Sequence, residues 1–321
     1  MSLDRRNFIQ GFGLAALLPG STLVASPALA SGDAAGRAPG TPPSGVVDLH
    51  TPEGTVTALA KLSATLDPDG HKHGWYTGAM MGVVPGAAVR ELVGVFGMSS
   101  QRLLHVPERG GFQLLQKECG FFTDLKTGEI LDRWHNPYID ETVEPFPIAN
   151  PAVNRWILPT VRDERFYERV EDEVVEDVPF VLPWERVGNR VLLEQRIHFW
   201  ARNPLDPEVW RRESSGPEIQ VSDMLSYHAR WDQLSDPATL TADYSGHWVH
   251  VRPWQPWMLM GSHPGHILYS AMTCSAATLA EIPDRILSVV RERLPEFLEP
   301  PEGPAPSEPS IIRYMREREP V

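Results

Sequence analysis

Apolar and polar residues alternate with a period of two through most of the chain, as in strands that bury one face and wet the other. Residues 74–83 read as a strand, stopped by the turn Pro85-Gly86, and Val89 to Met98 follows. Arg102 to Val106 leads into the turn Glu108-Arg109-Gly110-Gly111, and Phe112 to Thr123 leads into a type I turn ending at Gly128. Glu129 to Trp134 continues the meander. Further alternating runs lie at Arg165 to Val178, Arg190 to Ala201, Glu218 to Leu234 and Ser245 to Tyr269. About ten strands joined by short turns predict antiparallel pairing and a mainly β fold. Closure of that meander into a calycin-like β-barrel removes exposed sheet edges, so a closed barrel is the expected form.

Two stretches carry helical periodicity instead. Thr55 to Leu66 is one. Pro283 to Leu298 is the other, with Ile286, Val289, Val290, Leu294 and Phe297 on one stripe, and it is expected to pack on the barrel as a C-terminal helix. Residues 31–45 and 300–321 are rich in Gly, Ala or Pro and read as a leader and a tail. The predicted folded domain is residues 46–299.

The first 30 residues do not fit this pattern. Arg5-Arg6 before Phe8-Ile9, the apolar run Gly11 to Leu18 and Ala28-Leu29-Ala30 have the layout of a twin-arginine signal peptide. The expected location is periplasmic or secreted, with the export machinery as a partner and no membrane anchor after cleavage. A net charge of −13 argues against nucleic acid or an anionic membrane as partner. Cys119 and Cys274 are too few for a disulfide framework, and reduced buried thiols are expected. The acidic run Glu164 to Asp177 lacks the spacing of a calcium loop and reads as a solvated strand face. There is no nucleophile elbow, phosphate-binding loop or dinucleotide fingerprint.

With 10 Trp and 31 Pro, the composition is enriched in rigid and aromatic residues. They concentrate between Tyr244 and Tyr269. On a strand, Trp248, His250 and Arg252 share one face, while His247 lies on the other. Pro253 and Pro256 stiffen the backbone that carries Trp254 and Trp257. This is the pattern of an aromatic-walled pocket with a histidine acid/base and an arginine for an anion. A Trp-rich wall with satisfied core histidines gives the same pattern. His247, His250, His263 and His266 are the candidate ligands if a metal ion is bound, although no carboxylate follows at ligand spacing. Otherwise no cofactor is expected. A second candidate loop carries His135 and Asp140, and Trp75, Tyr76 and Tyr269 are further candidates for the cavity wall.

Several of these segments together resemble a family. Leu66-Asp67-Pro68-Asp69-Gly70 before Trp75-Tyr76-Thr77-Gly78, the block Thr127-Gly128-Glu129 to Asn136-Pro137, and His247-Trp248 to Met260-Gly261 are similar to the bacterial domain of unknown function numbered eighteen-thirty-eight. Pro253-Trp254-Gln255-Pro256-Trp257 is the most specific part. The resemblance spans about Lys61 to Pro300 and implies one continuous domain, but no activity.

The expected function is an exported enzyme that acts on an apolar aromatic or terpenoid-like molecule by cofactor-independent acid–base chemistry, as a lyase, isomerase or hydrolase. His250, Arg252, Tyr76 and Asp140 are the catalytic candidates. Trp75, Trp248, Trp254, Trp257, Tyr269 and His135 are the substrate-binding candidates. The alternatives are a lipocalin-like periplasmic carrier without turnover and a His-ligated metalloenzyme.

Overall fold

The computed structural model describes residues 47–162 and 177–321. The export-signal pattern, the leader and nearly all of the acidic run lie outside the described residues. Nine strands form one antiparallel sheet: β1 (Lys72–Val83), β2 (Arg90–Val106), β3 (Gly111–Thr123), β4 (Ile148–Ile157), β5 (Trp184–Val187), β6 (Arg190–Arg202), β7 (Glu218–Arg230), β8 (Tyr244–Arg252) and β9 (His266–Ala276). Their order is β4-β3-β2-β1-β9-β8-β7-β6-β5. Each half of the sheet is a meander of sequence neighbours, and the pairing of β1 with β9 joins the halves.

The sheet curls into a half-barrel but does not close, in contrast to the closed barrel expected from the alternation. Alternation fixes which residues face inward; it says nothing about whether the first and last strands meet. The outer edge of β4 is engaged by the C-terminal segment instead. Glu308 N–H donates to the Ala152 carbonyl at 3.0 Å, and the Asn154 amide donates to the Ala305 carbonyl. Ala149 N–H donates to Ser310 Oγ at 2.9 Å. Backbone groups that a closing strand would have paired are satisfied locally, which protects the edge without closure.

Alternation separates two cores. Phe96, Met98, Cys119 and Phe121 point to the convex face and meet Ile286, Leu287 and Val290 of helix α3 (Asp284–Arg293). The amphipathic stripe read from the sequence is therefore the face that α3 buries against the outer wall. The larger cluster lies on the concave side, where helix α1 (Pro52–Ser63) inserts almost wholly buried residues. Thr51 caps α1 by accepting from Gly54 N–H, and Pro52 suits the first turn.

Two buried lysines hold this end together. Lys61 Nζ donates to the carbonyls of Leu234 and Asp236 at 3.0 and 2.8 Å, at the end of the short helix α2 (Trp231–Ser235). Lys72 Nζ donates to Leu62 and Ala242 carbonyls at 3.0 and 2.5 Å. Carbonyls at a helix C-terminus lack intrahelical donors and carry partial negative charge, which suits an ammonium group. Burial nonetheless pulls Lys72 down to about 7. Helix α4 (Ser310–Glu317) docks over the concave face through buried Ile311 and Tyr314. The Tyr314 ring packs against Phe146 and Trp210.

Candidate functional site

Three neighbouring strands build the centre of the concave face. Register sets His250 on β8 opposite Asp223 on β7 and opposite Tyr269 on β9. His250 Nδ1 lies 2.6 Å from Asp223 Oδ1, and both side chains are almost completely buried. The Trp248 indole N–H donates to the same oxygen at 2.9 Å. A carboxylate on Nδ1 fixes the ring so that Nε2 is the nitrogen left for a ligand. Asp223 Oδ2 is buried and accepts no hydrogen bond among the described residues.

Aromatic stacking holds this pair in place. The Trp248 ring stacks on His250 and on Tyr269, with centroids 5.4 and 5.5 Å apart. Tyr76 meets Trp248 edge-on at 5.6 Å. The Tyr76 phenol crosses β2 and β3 at Gly97 and Gly120, where an added Cβ would stand 2.5 and 2.1 Å from its oxygen. These glycines make the space that the ring needs. Burial pushes the Tyr269 hydroxyl up to about 12 against the pull of Arg252, and Gln255 Nε2 donates to it at 2.7 Å.

A cleft opens beside the pair, lined by Trp248, His250, Arg252, Trp257 and Tyr269 and roofed by Ser310, Ile311 and Tyr314 of α4. Burial lowers the Arg252 guanidinium from its ordinary value, while Tyr269 and Asp223 oppose that shift. Its Nε and the Trp257 indole nitrogen are buried donors with no acceptor among the described residues. The loop after β8 presents Trp257. Buried Asn136 donates to the Met258 carbonyl at 2.8 Å, and Leu259 takes a left-handed conformation at φ 55°. A polar relay connects the roof to the sheet. Ser310 N–H and Oγ both donate to Asn150 Oδ1, at 2.8 and 2.6 Å, and Asn150 Nδ2 donates to Glu118 Oε2 at 3.1 Å. Burial raises Glu118 to about 8.

The structure thus gathers five of the sequence candidates: Trp248, His250, Arg252, Trp257 and Tyr269. It sets the others elsewhere. Tyr76 borders a second cavity with Gln101, Gln116, Arg155 and Tyr227. Trp75 touches that cavity's wall but packs against the outer cluster, opposite Tyr76 on the strand. Trp254 is buried and braces the loop: its indole donates to the His263 carbonyl at 3.0 Å and its ring meets Tyr138. His135 and Asp140 lie 3.3 Å apart on an exposed hairpin. His247 and His263 are exposed and His266 is half-buried, none of them beside His250 in the cleft. Among the described residues, no group of three or more His, Cys, Asp and Glu side chains is placed to hold a metal ion. Cys119 and Cys274 are free thiols, both shifted upward by burial.

Asp223, Glu118, Asn150 and Gln255 were missed by the sequence reading, and a signal for the two acids exists. Asp223 stands in phase with the buried Ile219, Val221, Leu225 and Tyr227, and Glu118 in phase with Leu114 and Phe122. A carboxylate on the apolar phase of a strand has to be buried, and a buried carboxylate needs a partner.

The family model described as protein of unknown function (DUF1838) matches residues 71–318. The chain belongs to this family. The matched stretch runs from β1 to the end of α4, so it includes every residue of the cleft. No curated protein matches the chain.

Proposed function

We propose that this DUF1838 protein is a small-molecule enzyme that carries out acid–base chemistry without a cofactor in the cleft beneath α4. The observation that carries the reading is the buried His250–Asp223 contact at the cleft wall. Asp223 orients the imidazole and stabilises its charged form, and Nε2 takes a proton from the substrate. A proton returned to a second position completes an isomerisation, and one delivered to a departing oxygen completes an elimination. With a water molecule as the second reactant, the same group serves a hydrolysis. Trp248, Tyr269 and Trp257 are the platform for a largely apolar, aromatic or terpenoid-like body. The Arg5-Arg6 pattern supports export of the folded chain to the periplasm or beyond, and the acidic surface supports a small molecule rather than nucleic acid as partner.

The test is incubation of wild type and His250→Gln with a bacterial small-molecule extract in D2O, followed by mass spectrometry. Wild type should consume or deuterate at least one compound that the variant leaves unchanged. The roofed cleft and the second cavity also suit a carrier. If compounds are bound but none is converted or labelled by wild type, the carrier reading replaces the enzyme.

A further inference from the structure

We infer that the ligand of this cleft is an organic acid whose carboxylate is held by Arg252 and Trp257; the inference deepens the acid–base reading and rests on it. Arg252 and Trp257 line the same cleft, and their buried Nε and Nε1 groups have no acceptor among the described residues. A buried donor without a partner is destabilising, more so when it is charged, so the pair calls for an acceptor on the occupant. One donor is a guanidinium and the other a neutral indole, which suits an anion of single charge with two oxygens.

The surroundings exclude a more highly charged ligand. Asp223 sits close enough to interact electrostatically with Arg252, and no further cationic side chain lines the cleft among the described residues. A phosphate dianion would meet that carboxylate with one guanidinium to offset it. Most of the remaining lining, including Phe146, Ile311 and Tyr314, is apolar or aromatic and suits a hydrocarbon or aromatic body behind the carboxylate.

Placement on the strand connects this anchor to the proton-transfer group. Arg252 and His250 are two residues apart on one face of β8, about 6.8 Å along the strand. A carboxylate seated on Arg252 therefore directs the carbon or hydroxyl two to three bonds away towards His250. When Nε2 removes a proton from the carbon next to the carboxylate, the electron pair moves onto the carboxylate oxygens. Arg252 and Trp257 already hold those oxygens. Return of the proton restores the neutral imidazole.

The experiment is a titration of 2-naphthoate and its uncharged amide, 2-naphthamide, followed by calorimetry. The carboxylate should bind wild type at least ~10-fold more tightly than the amide, the worth of one charge-assisted contact. Trp257→Phe keeps the ring and loses the N–H, and should cut that preference several-fold. Arg252→Gln should abolish it, with thermal melts showing that both variants fold. His250→Gln should retain the preference. Equal affinity for acid and amide, undetectable binding of both, or a preference unaffected by Arg252→Gln overturns the inference. Failure here, with His250-dependent conversion intact in the extract, refutes the carboxylate anchor alone. A preserved preference without any conversion refutes the acid–base reading alone.

Discussion

Glu118 and Cys119 are neighbours on β3, and the sheet sends them to opposite sides. Cys119 joins Phe96, Met98 and Phe121 on the convex face, where α3 seals a largely apolar layer. Glu118 enters the concave face, which also buries Asp223, His250, Asn150 and Gln116. The outer layer is held chiefly by burial of apolar surface, and its buried polar pair is satisfied: Ser100 Oγ lies 3.1 Å from His73 Nδ1 and donates to the Phe297 carbonyl at 2.7 Å. The inner layer bears the desolvation of carboxylates, and Asp223 Oδ2, Arg252 Nε and Trp257 Nε1 are among its buried atoms that have no partner among the described residues. One strand pattern thus builds a stabilising wall on one side and a chemically poised cleft on the other. Unsatisfied polar groups gathered beside a cleft are what a ligand site demands and a core avoids.

Substitutions on the two faces should differ in effect. The largest effect is on the inner face: Asp223→Asn should lower turnover of any compound converted by wild type by about 10²–10⁴-fold, because the imidazole loses its orienting anion. Circular dichroism should show an unchanged fold. On the outer face, Ile286→Ala should cost ~2–4 kcal/mol in a urea melt and leave ligand binding unaltered. If it impairs binding as strongly as an inner-face change, the two layers are not separate.

Protonation sharpens the contrast further. The folded pKa of Glu118 is raised to about 8 from an ordinary 4.5. Between those values folding takes up a proton, so stability should fall as pH rises through the window, by about 1.4 kcal/mol per pH unit for one such group. Glu118→Gln should remove that slope and make the variant the more stable protein at pH 8. Equal slopes for both proteins would show that Glu118 is ionised in the fold. The smallest effect is at the roof: Ser310→Ala removes a donor to Asn150 and should cost ~1 kcal/mol, seen as a lower melting temperature.

Much of the sheet was legible because alternation is a local signal. The face shared by Trp248, His250 and Arg252 follows from strand periodicity alone, as does the α3 stripe at Ile286 and Val290. Whether the sheet closes was not legible, since it depends on how far apart β4 and β5 end and on the C-terminal segment lying along β4. The partner of His250 was hidden for a related reason. Asp223 comes from another strand, 27 residues away, and only the β7–β8 register makes it a neighbour. Asp140 was a natural candidate by composition, yet its hairpin exposes it to water. Trp254 and Trp257 are indistinguishable in sequence. A few backbone dihedrals turn the first into a brace and the second into a wall.

On the proposed function, the inner face performs proton transfer and does not merely bind. This is tested most directly by deuterium uptake from D2O into small molecules incubated with wild type, Asp223→Asn and His250→Gln, read by mass spectrometry. Label or conversion in the presence of wild type, and near-background levels with both variants, is the predicted result. Equal labelling by all three proteins, or none by wild type while its ligands stay bound, would contradict it.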